Sequence, residues 1–293
     1  MYIIKYKIIS YGTILAHSFC CSYNKIYFIY AHFPTLFSHP LACLSVLNSL
    51  ISFISIIKNI VQRVLFPPKC PVCGKITEDY EDKVCNTCLR RLPLVTGSRC
   101  MRCSKQTDDN EMLCADCKIS KFTYIQGYAL WHYDISSRNI MKGLKYYGRR
   151  DYVDFIAAEL VYHARFRIKE WQPDGIVPVP LHSSKYKKRG FNQAEVIARE
   201  VSILCGVRLI NDVLFRTKKT RPQKYLDDKD RESNLKDAFS VNTDNLKRYH
   251  NIKRVIIIDD IYTTGSTIDA CARKLKEAGI TSYFLTVCIG DGF

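Results

Sequence analysis

The sequence predicts an α/β fold: a central, mostly parallel sheet flanked by helices, with a small metal-binding module ahead of it. Three observations carry that expectation. Val255-Ile256-Ile257-Ile258 is a continuous run of β-preferring apolar residues, the pattern of a strand covered on both faces. From Phe122 onward strand-like and helix-like stretches alternate, as they do where helices cross over a sheet. Eight of the 14 cysteines form four Cys-x-x-Cys pairs between Cys70 and Cys117, ahead of that alternation.

Composition narrows the class. At 293 residues the chain has room for one large or two small domains. Its 44 Lys and Arg against 28 Asp and Glu give a formal charge of +16, which favours nucleic acid, phosphorylated substrates or an anionic membrane as partners. The remaining cysteines, Cys20, Cys21, Cys43, Cys205, Cys271 and Cys288, are scattered in mostly apolar settings. That distribution suits metal-bound thiolates in a reducing, cytoplasmic compartment better than a secreted disulfide scaffold.

Residues 1–40 are rich in Tyr, Ile, Phe and His and show no sustained period of 2 or 3.6. They are expected to lie outside the fold, as an extension read from a start codon assigned too far upstream. Residues 41–66 are expected to form an amphipathic helix. Leu44, Leu47, Leu50, Ile51, Ile54, Ile57, Val61, Val64 and Leu65 recur at spacings of three and four, and Pro67-Pro68 stops the pattern. Its serines line one face, so a docking helix is expected there and no stable membrane span.

Residues 67–119 hold the cysteine pairs Cys70/Cys73, Cys85/Cys88, Cys100/Cys103 and Cys114/Cys117. A two-residue spacer lets two thiolates converge on one tetrahedral ion, and two pairs close a four-thiolate site with no open position. The expected cofactor is structural Zn²⁺, two ions in a double zinc ribbon. Gly74 after the first pair suits a turn that needs positive φ. Sequential and crossed pairings of the four pairs both remain open. Arg90, Arg91, Arg99, Arg102 and Lys105 lie beside the pairs, facing either a partner or solvent.

The sheet-forming domain is expected over 120–293. Tyr124–Tyr133 reads as a strand, and Ile135–Tyr146, Asp151–Arg167 and Ala194–Leu204 read as helices. The basic residues around Lys142 and Lys145 face an anion or solvent. Pro178 and Pro180 interrupt pairing at a strand end, and a turn at a sheet edge is where α/β proteins bind ligands. The following Lys185, Lys187, Lys188, Arg189 and Gly190 read as a basic loop opening a helix, hence an anion site. Leu214–Phe239, with Arg216, Lys218, Lys219 and Arg221, reads as a long mobile loop, and long loops in compact domains are usually functional.

The most specific stretch is Val255–Thr267. Asp259 and Asp260 end the apolar strand; Thr263, Thr264, Gly265, Ser266 and Thr267 follow; Ile268–Gly279 reads as a helix. Unpaired N–H groups at the helix start, loop hydroxyls and a glycine that permits close approach suit a phosphate. The carboxylates suit sugar hydroxyls or a Mg²⁺ that bridges to them. The loop lacks the Gly-Lys-Ser/Thr ending of a Walker A motif, which excludes that class.

These thirteen residues resemble the signature of the type I phosphoribosyltransferases, which bind 5-phosphoribosyl-1-pyrophosphate (PRPP). The resemblance implies their fold, with Asp259 and Asp260 on the ribose 2′- and 3′-hydroxyls and Thr263–Thr267 around the 5′-phosphate. It also implies Mg²⁺ with PRPP, and a long loop closing over the site. Val179-Pro180-Leu181-His182, Arg189–Ala194, Arg216 with Gln223, then Arg231, Asn234 and Phe239, together with the cysteine pairs, resemble the ComF family over about residues 44–293. That family implies a cytoplasmic role in DNA uptake during natural competence, meeting single-stranded DNA and the competence helicase. Lys188, Arg189 and Gly190 would then meet pyrophosphate or DNA phosphate. The alternatives are an active phosphoribosyltransferase of nucleotide or cofactor salvage, and a non-catalytic PRPP-sensing regulator.

Overall fold

The computed structural model describes residues 51–57, 61, 65, 67–77, 83–109, 111–148, 152–217 and 238–290. The chain divides into two compact units, Met1–Phe66 and Pro67–Phe293. In the first, residues 51–57 are helical, and Ile51, Ile54, Ile57, Val61 and Leu65 are exposed. The expected extension at 1–40 and most of the expected helix lie outside the described residues. Among the described residues no helix is long and apolar enough to cross a membrane.

The second unit begins with two similar cysteine turns. Cys70 N–H donates to Lys75 O and Gly74 N–H to Cys70 O; Cys100 N–H donates to Lys105 O and Ser104 N–H to Cys100 O. Gly74 has φ +74°, as its sequence position requires, while the equivalent Ser104 holds φ +70° without being glycine. Short helices α1 (Asn86–Leu89) and α2 (Ala115–Ile119) carry the second pair of each turn.

The sheet runs β1 (Gly127–His132), then across to β6 (Thr281–Ile289), β5 (Arg254–Tyr262) and β2 (Gly175–Pro178), all parallel. Between β1 and β2 run α3 (Ile135–Tyr147) and α4 (Val153–Trp171). A capping box at Asp134 and Ser137 starts α3. After β2 come α5 (Ser183–Arg189) and α6 (Gln193–Cys205), the latter capped by Asn192. Then β3 (Leu214–Arg216) pairs antiparallel with β4 (Phe239–Val241), and α7 (Thr243–Lys247) leads into β5. Between β5 and β6 runs α8 (Ser266–Glu277).

Val255, Ile256, Ile257 and Ile258 are all fully buried, because the alternating side chains of β5 enter two different cores. Val255 and Ile257 join a cluster with Cys271, Leu275 and the second set of four cysteines. Ile256 and Ile258 join a cluster with Ile140, Leu160 and Ile197 on α3, α4 and α6. The strand is thus covered on both faces, as its composition predicts.

Three expectations are corrected. The segment Leu214–Phe239 is not loop throughout: its two ends pair as β3 and β4, while residues 218–237 lie outside the described residues. The basic stretch at 183–189 is a short helix, not a loop, started by the His182 ring and ended by Gly190. Pro178 does not end pairing; it is the last residue of β2 opposite Ile258, and Val179 N–H still donates to Ile258 O at 2.9 Å. Successive N–H groups of a strand point to opposite sides, so those two residues apart share a side. Ile176 N–H points outward to Arg208 O, so the position two residues on loses no bond to β5 by being proline.

Both outer strands have a neighbour beyond them. Val95 N–H donates to Leu130 O and His132 N–H to Pro93 O, so the link between the two cysteine turns lies along β1. On β2, Ile176 N–H donates to Arg208 O, and Ile210 N–H donates to Ile176 O.

Candidate functional site and metal centres

The candidate ligand site lies where β5 meets α8. The strand continues through both carboxylates to Tyr262, and Ser266 opens the helix. Since successive side chains of a strand point to opposite faces, Asp259 and Asp260 diverge despite being adjacent. Asp259 faces Arg216 and Cys271, and its Oδ1 accepts from Asp260 N–H at 2.8 Å. Asp260 faces α3, where Lys145 Nζ lies 2.5 Å from its Oδ2. Divergence, with the charge of Lys145 acting on both acids and that of Arg216 on Asp259, lets the two share one strand end.

Burial, with Asp260 as like-charge neighbour, pushes the Asp259 carboxyl up to about 8. Lys145 is raised despite its burial, because Asp260 and then Asp259 favour its charged form. Burial and the charges of Arg216, Arg189 and Lys145 hold Lys185 below its usual range. Lys145 on α3, Arg189 on α5 and Arg216 on β3 therefore all stand within electrostatic reach of Lys185, beside the acidic strand end. Mutual repulsion of that kind is relieved by a bound anion.

The hydroxyl loop is short and tied. Thr264 Oγ1 and Ser266 Oγ lie 2.7 Å apart. Gly265 sits at the N-cap of α8 with φ +79°, and a Cβ there would meet Tyr262 Oη at 2.5 Å. Glycine is required on both counts. Thr263, Thr264, Ser266 and Thr267 are half-buried around it.

Of the residues singled out from sequence, Asp259, Asp260 and Thr263–Thr267 come together in one corner, with Arg189 and Arg216 close by. Arg189 donates to Gln193 Oε1 at 2.8 Å and lies over the Tyr146 ring. Lys188 is exposed on α5, and Gly190 ends that helix. Arg216 is on β3 over the Phe239 ring rather than in a loop. Lys218, Lys219 and Arg221 lie outside the described residues. Sequence reasoning left Lys145 undecided between an anion and solvent; its partner is a carboxylate. The signal was a lysine on the apolar side of a helix, which is seldom buried unpaired.

The metal centres are resolved as two sequential sets. The sulfurs of Cys70, Cys73, Cys85 and Cys88 lie within 4.8 Å of one another, as do those of Cys100, Cys103, Cys114 and Cys117. Tetrahedral zinc with bonds of about 2.3 Å sets ligand sulfurs about 3.8 Å apart. Cys73 to Cys85 is 3.8 Å and Cys103 to Cys114 is 3.5 Å. Both sets fit a structural Zn²⁺. Arg99, expected to face a partner or solvent, instead folds inward. It donates to Val95 O, to Ala129 O at 2.8 Å and to Ser104 Oγ at 3.1 Å, and covers the Tyr128 ring. Lys105 pairs with Asp116 at 2.6 Å.

Residues 61–118 match the family model described as a double zinc ribbon domain. The chain is similar to competence protein F of Haemophilus influenzae, 26% identical over 72% of this chain and 92% of that protein. The chain is ComF-like. The ComF-like chain is also similar to the DNA utilization protein YhgH of Escherichia coli, 28% identical over 65% of this chain and 90% of that one. Among solved structures, an adenine phosphoribosyltransferase aligns over 50% of this chain and 75% of its own, with 14% identity and a TM-score of 0.30. At that score the likeness adds nothing to the sheet itself. The parallel sheet is flanked by helices, with an acidic strand end and a hydroxyl loop opening a helix, and the double ribbon precedes it.

Proposed function

We propose that this ComF-like chain binds PRPP with Mg²⁺ at the β5–α8 corner and serves in DNA uptake during natural competence. The observation that carries the reading is the meeting of a hydroxyl loop, a helix start and two carboxylates with Lys145, paired to Asp260, and with Lys185, Arg189 and Arg216 nearby. In this reading Asp259 and Asp260 accept hydrogen bonds from the ribose 2′- and 3′-hydroxyls. Backbone N–H groups and hydroxyls of Thr263–Thr267 hold the 5′-phosphate at the positive end of α8. Lys185, Arg189 and Arg216 receive the pyrophosphate, with Lys188 at the outer edge and Lys218, Lys219 and Arg221 following Arg216 in the chain. The two carboxylates are hard oxygen donors of the kind Mg²⁺ takes, and the ion would neutralise charge between ribose and pyrophosphate.

Residues 120–293 form the ligand domain in this proposal, 67–119 the double ribbon, 41–66 a docking helix and 1–40 an extension. The names of the relatives, a competence protein and a DNA utilization protein, favour DNA handling. The +16 charge suits single-stranded DNA, with the competence helicase as protein partner in the cytoplasm. Calorimetry of the full chain with Mg²⁺–PRPP tests the pocket. Saturable binding that the Asp259→Asn/Asp260→Asn variant loses supports it, and no heat with the wild type overturns it. Exchange of labelled pyrophosphate into PRPP, with a panel of bases, separates a transferase from a sensor.

A further inference from the structure

The hydroxyl loop does not rest on β5 and α8 alone. Tyr262, 2% exposed, has its ring directly beneath Gly265. Its hydroxyl lies 2.8 Å from that of Tyr124, which is fully buried. Phe284 stacks on Tyr262 with centroids 5.1 Å apart and meets Tyr124 edge-on at 4.9 Å. One residue before Tyr124, Thr123 N–H donates to Asp269 Oδ1 at 2.5 Å. Asp269 is buried in the first turn of α8, and its other oxygen lies 3.3 Å from Arg273 Nε. Thr123 and Tyr124 thus hold the loop from both ends, through Tyr262 before it and Asp269 after it.

Those two residues come shortly after the second set of four cysteines, with Lys118–Phe122 between. That set is buried in the same cluster as Tyr124, Tyr262, Ile268 and Phe284. Arg102 O, inside the second turn, accepts from Gly127 N–H at 2.8 Å, fixing where the segment enters the sheet. The first set differs. Cys73 is exposed, and Val72 leans on the opposite core, with its carbonyl accepting from Asn139 Nδ2 at 3.3 Å. A cysteine turn of this size is ordered by its metal, so whatever it positions depends on that metal.

We infer that Tyr124 and Tyr262 are positioning residues that make the hydroxyl loop depend on the metal at Cys100/Cys103/Cys114/Cys117, and not on the metal at Cys70/Cys73/Cys85/Cys88. The two zinc sites then have unequal duties: one braces the ligand corner, the other the far side of the sheet. Only the ligand arm of the test rests on the PRPP reading.

The test compares full-length Cys73→Ser, Cys117→Ser, Tyr124→Phe and Tyr262→Phe by zinc content, amide exchange and Mg²⁺–PRPP binding. Cys117→Ser and both tyrosine variants should speed exchange at residues 263–268 while α4 stays protected. For a tyrosine variant the expected change is about fivefold, the worth of one buried hydrogen bond. Cys73→Ser should lose one zinc and leave those amides unchanged, and PRPP affinity should follow the same order. Equal effects of Cys73→Ser and Cys117→Ser, or no local change in Tyr262→Phe, would overturn the inference. Should Cys117→Ser unfold the chain, the tyrosine variants decide, since they keep both rings. Should the wild type fail to bind PRPP, the ligand reading falls while the exchange pattern still decides this one.

Discussion

Lys145 and Asp260 form the closest ion pair of the candidate corner, 2.5 Å between Nζ and Oδ2, with only 17% of either side chain exposed. The pair joins α3 to the end of β5, so the cation that balances the second acid comes from a helix over a hundred residues earlier in the chain. Removing one partner of a largely buried pair strands the other charge. Lys145→Met should therefore destabilise the fold by about 3 kcal/mol, measured by urea denaturation. The double variant Lys145→Met/Asp260→Asn should recover most of that loss; no recovery would mean that the pair is not the cause.

Asp259 sets a pH dependence. Its folded carboxyl is raised to about 8 from 3.8, so between those values the folded chain holds a proton that the unfolded chain has released. This contribution is fully present below about pH 4 and is lost as pH rises through about 8. Denaturation midpoints across that window should fall for the wild type, and the Asp259→Asn variant should lose that component. Identical slopes for the two would refute the assignment.

Gly265 tolerates no side chain. Gly265→Ala places Cβ against Tyr262 Oη in a backbone conformation that L-residues rarely adopt. A loss of about 1–3 kcal/mol is expected, from strain at positive φ and the forced shift of the ring. Thermal unfolding checks this, and a wild-type midpoint would show that the loop has room to move.

The acid pair should matter to ligand as well as to fold. Each carboxylate accepting a ribose hydroxyl contributes about 1.5–3 kcal/mol, so Asp260→Glu or Asp259→Asn should each weaken PRPP binding about ten- to a hundredfold. Titration calorimetry reads the change directly.

The zinc sites should empty in order. Cys73 of the first set is exposed, whereas all four cysteines of the second are buried. Chelator challenge should release one equivalent of zinc quickly and the other slowly, with Cys73→Ser removing the fast phase. A single phase would contradict the difference in burial.

Much of this was legible in the sequence because local rules agreed with the fold. The Val255–Ile258 run, the Cys-x-x-Cys turns and Gly74 each encode their structure within a few residues. What escaped was set by distant contacts. Nothing near Lys145 announces Asp260, and Arg99 looks like any exposed arginine until Ala129 and Val95 supply its acceptors. The helix at Ser183–Arg189 was hidden by its charge, since no apolar stripe marks two turns that send no side chain fully into the core. Pro178 misled because the rule against strand prolines applies to bonded N–H groups, and the N–H it lacks faces away from β5.

The neighbours along β1 and β2 carry a consequence for self-association. With Pro93–Val95 on one rim and Arg208–Ile210 on the other, the four-stranded sheet offers little free backbone for a second copy to extend. Two chains joining into one continuous eight-stranded sheet would first have to peel away the link between the metal turns. Among the described residues, the link between the metal turns thereby guards the β1 rim of this sheet against strand-to-strand pairing.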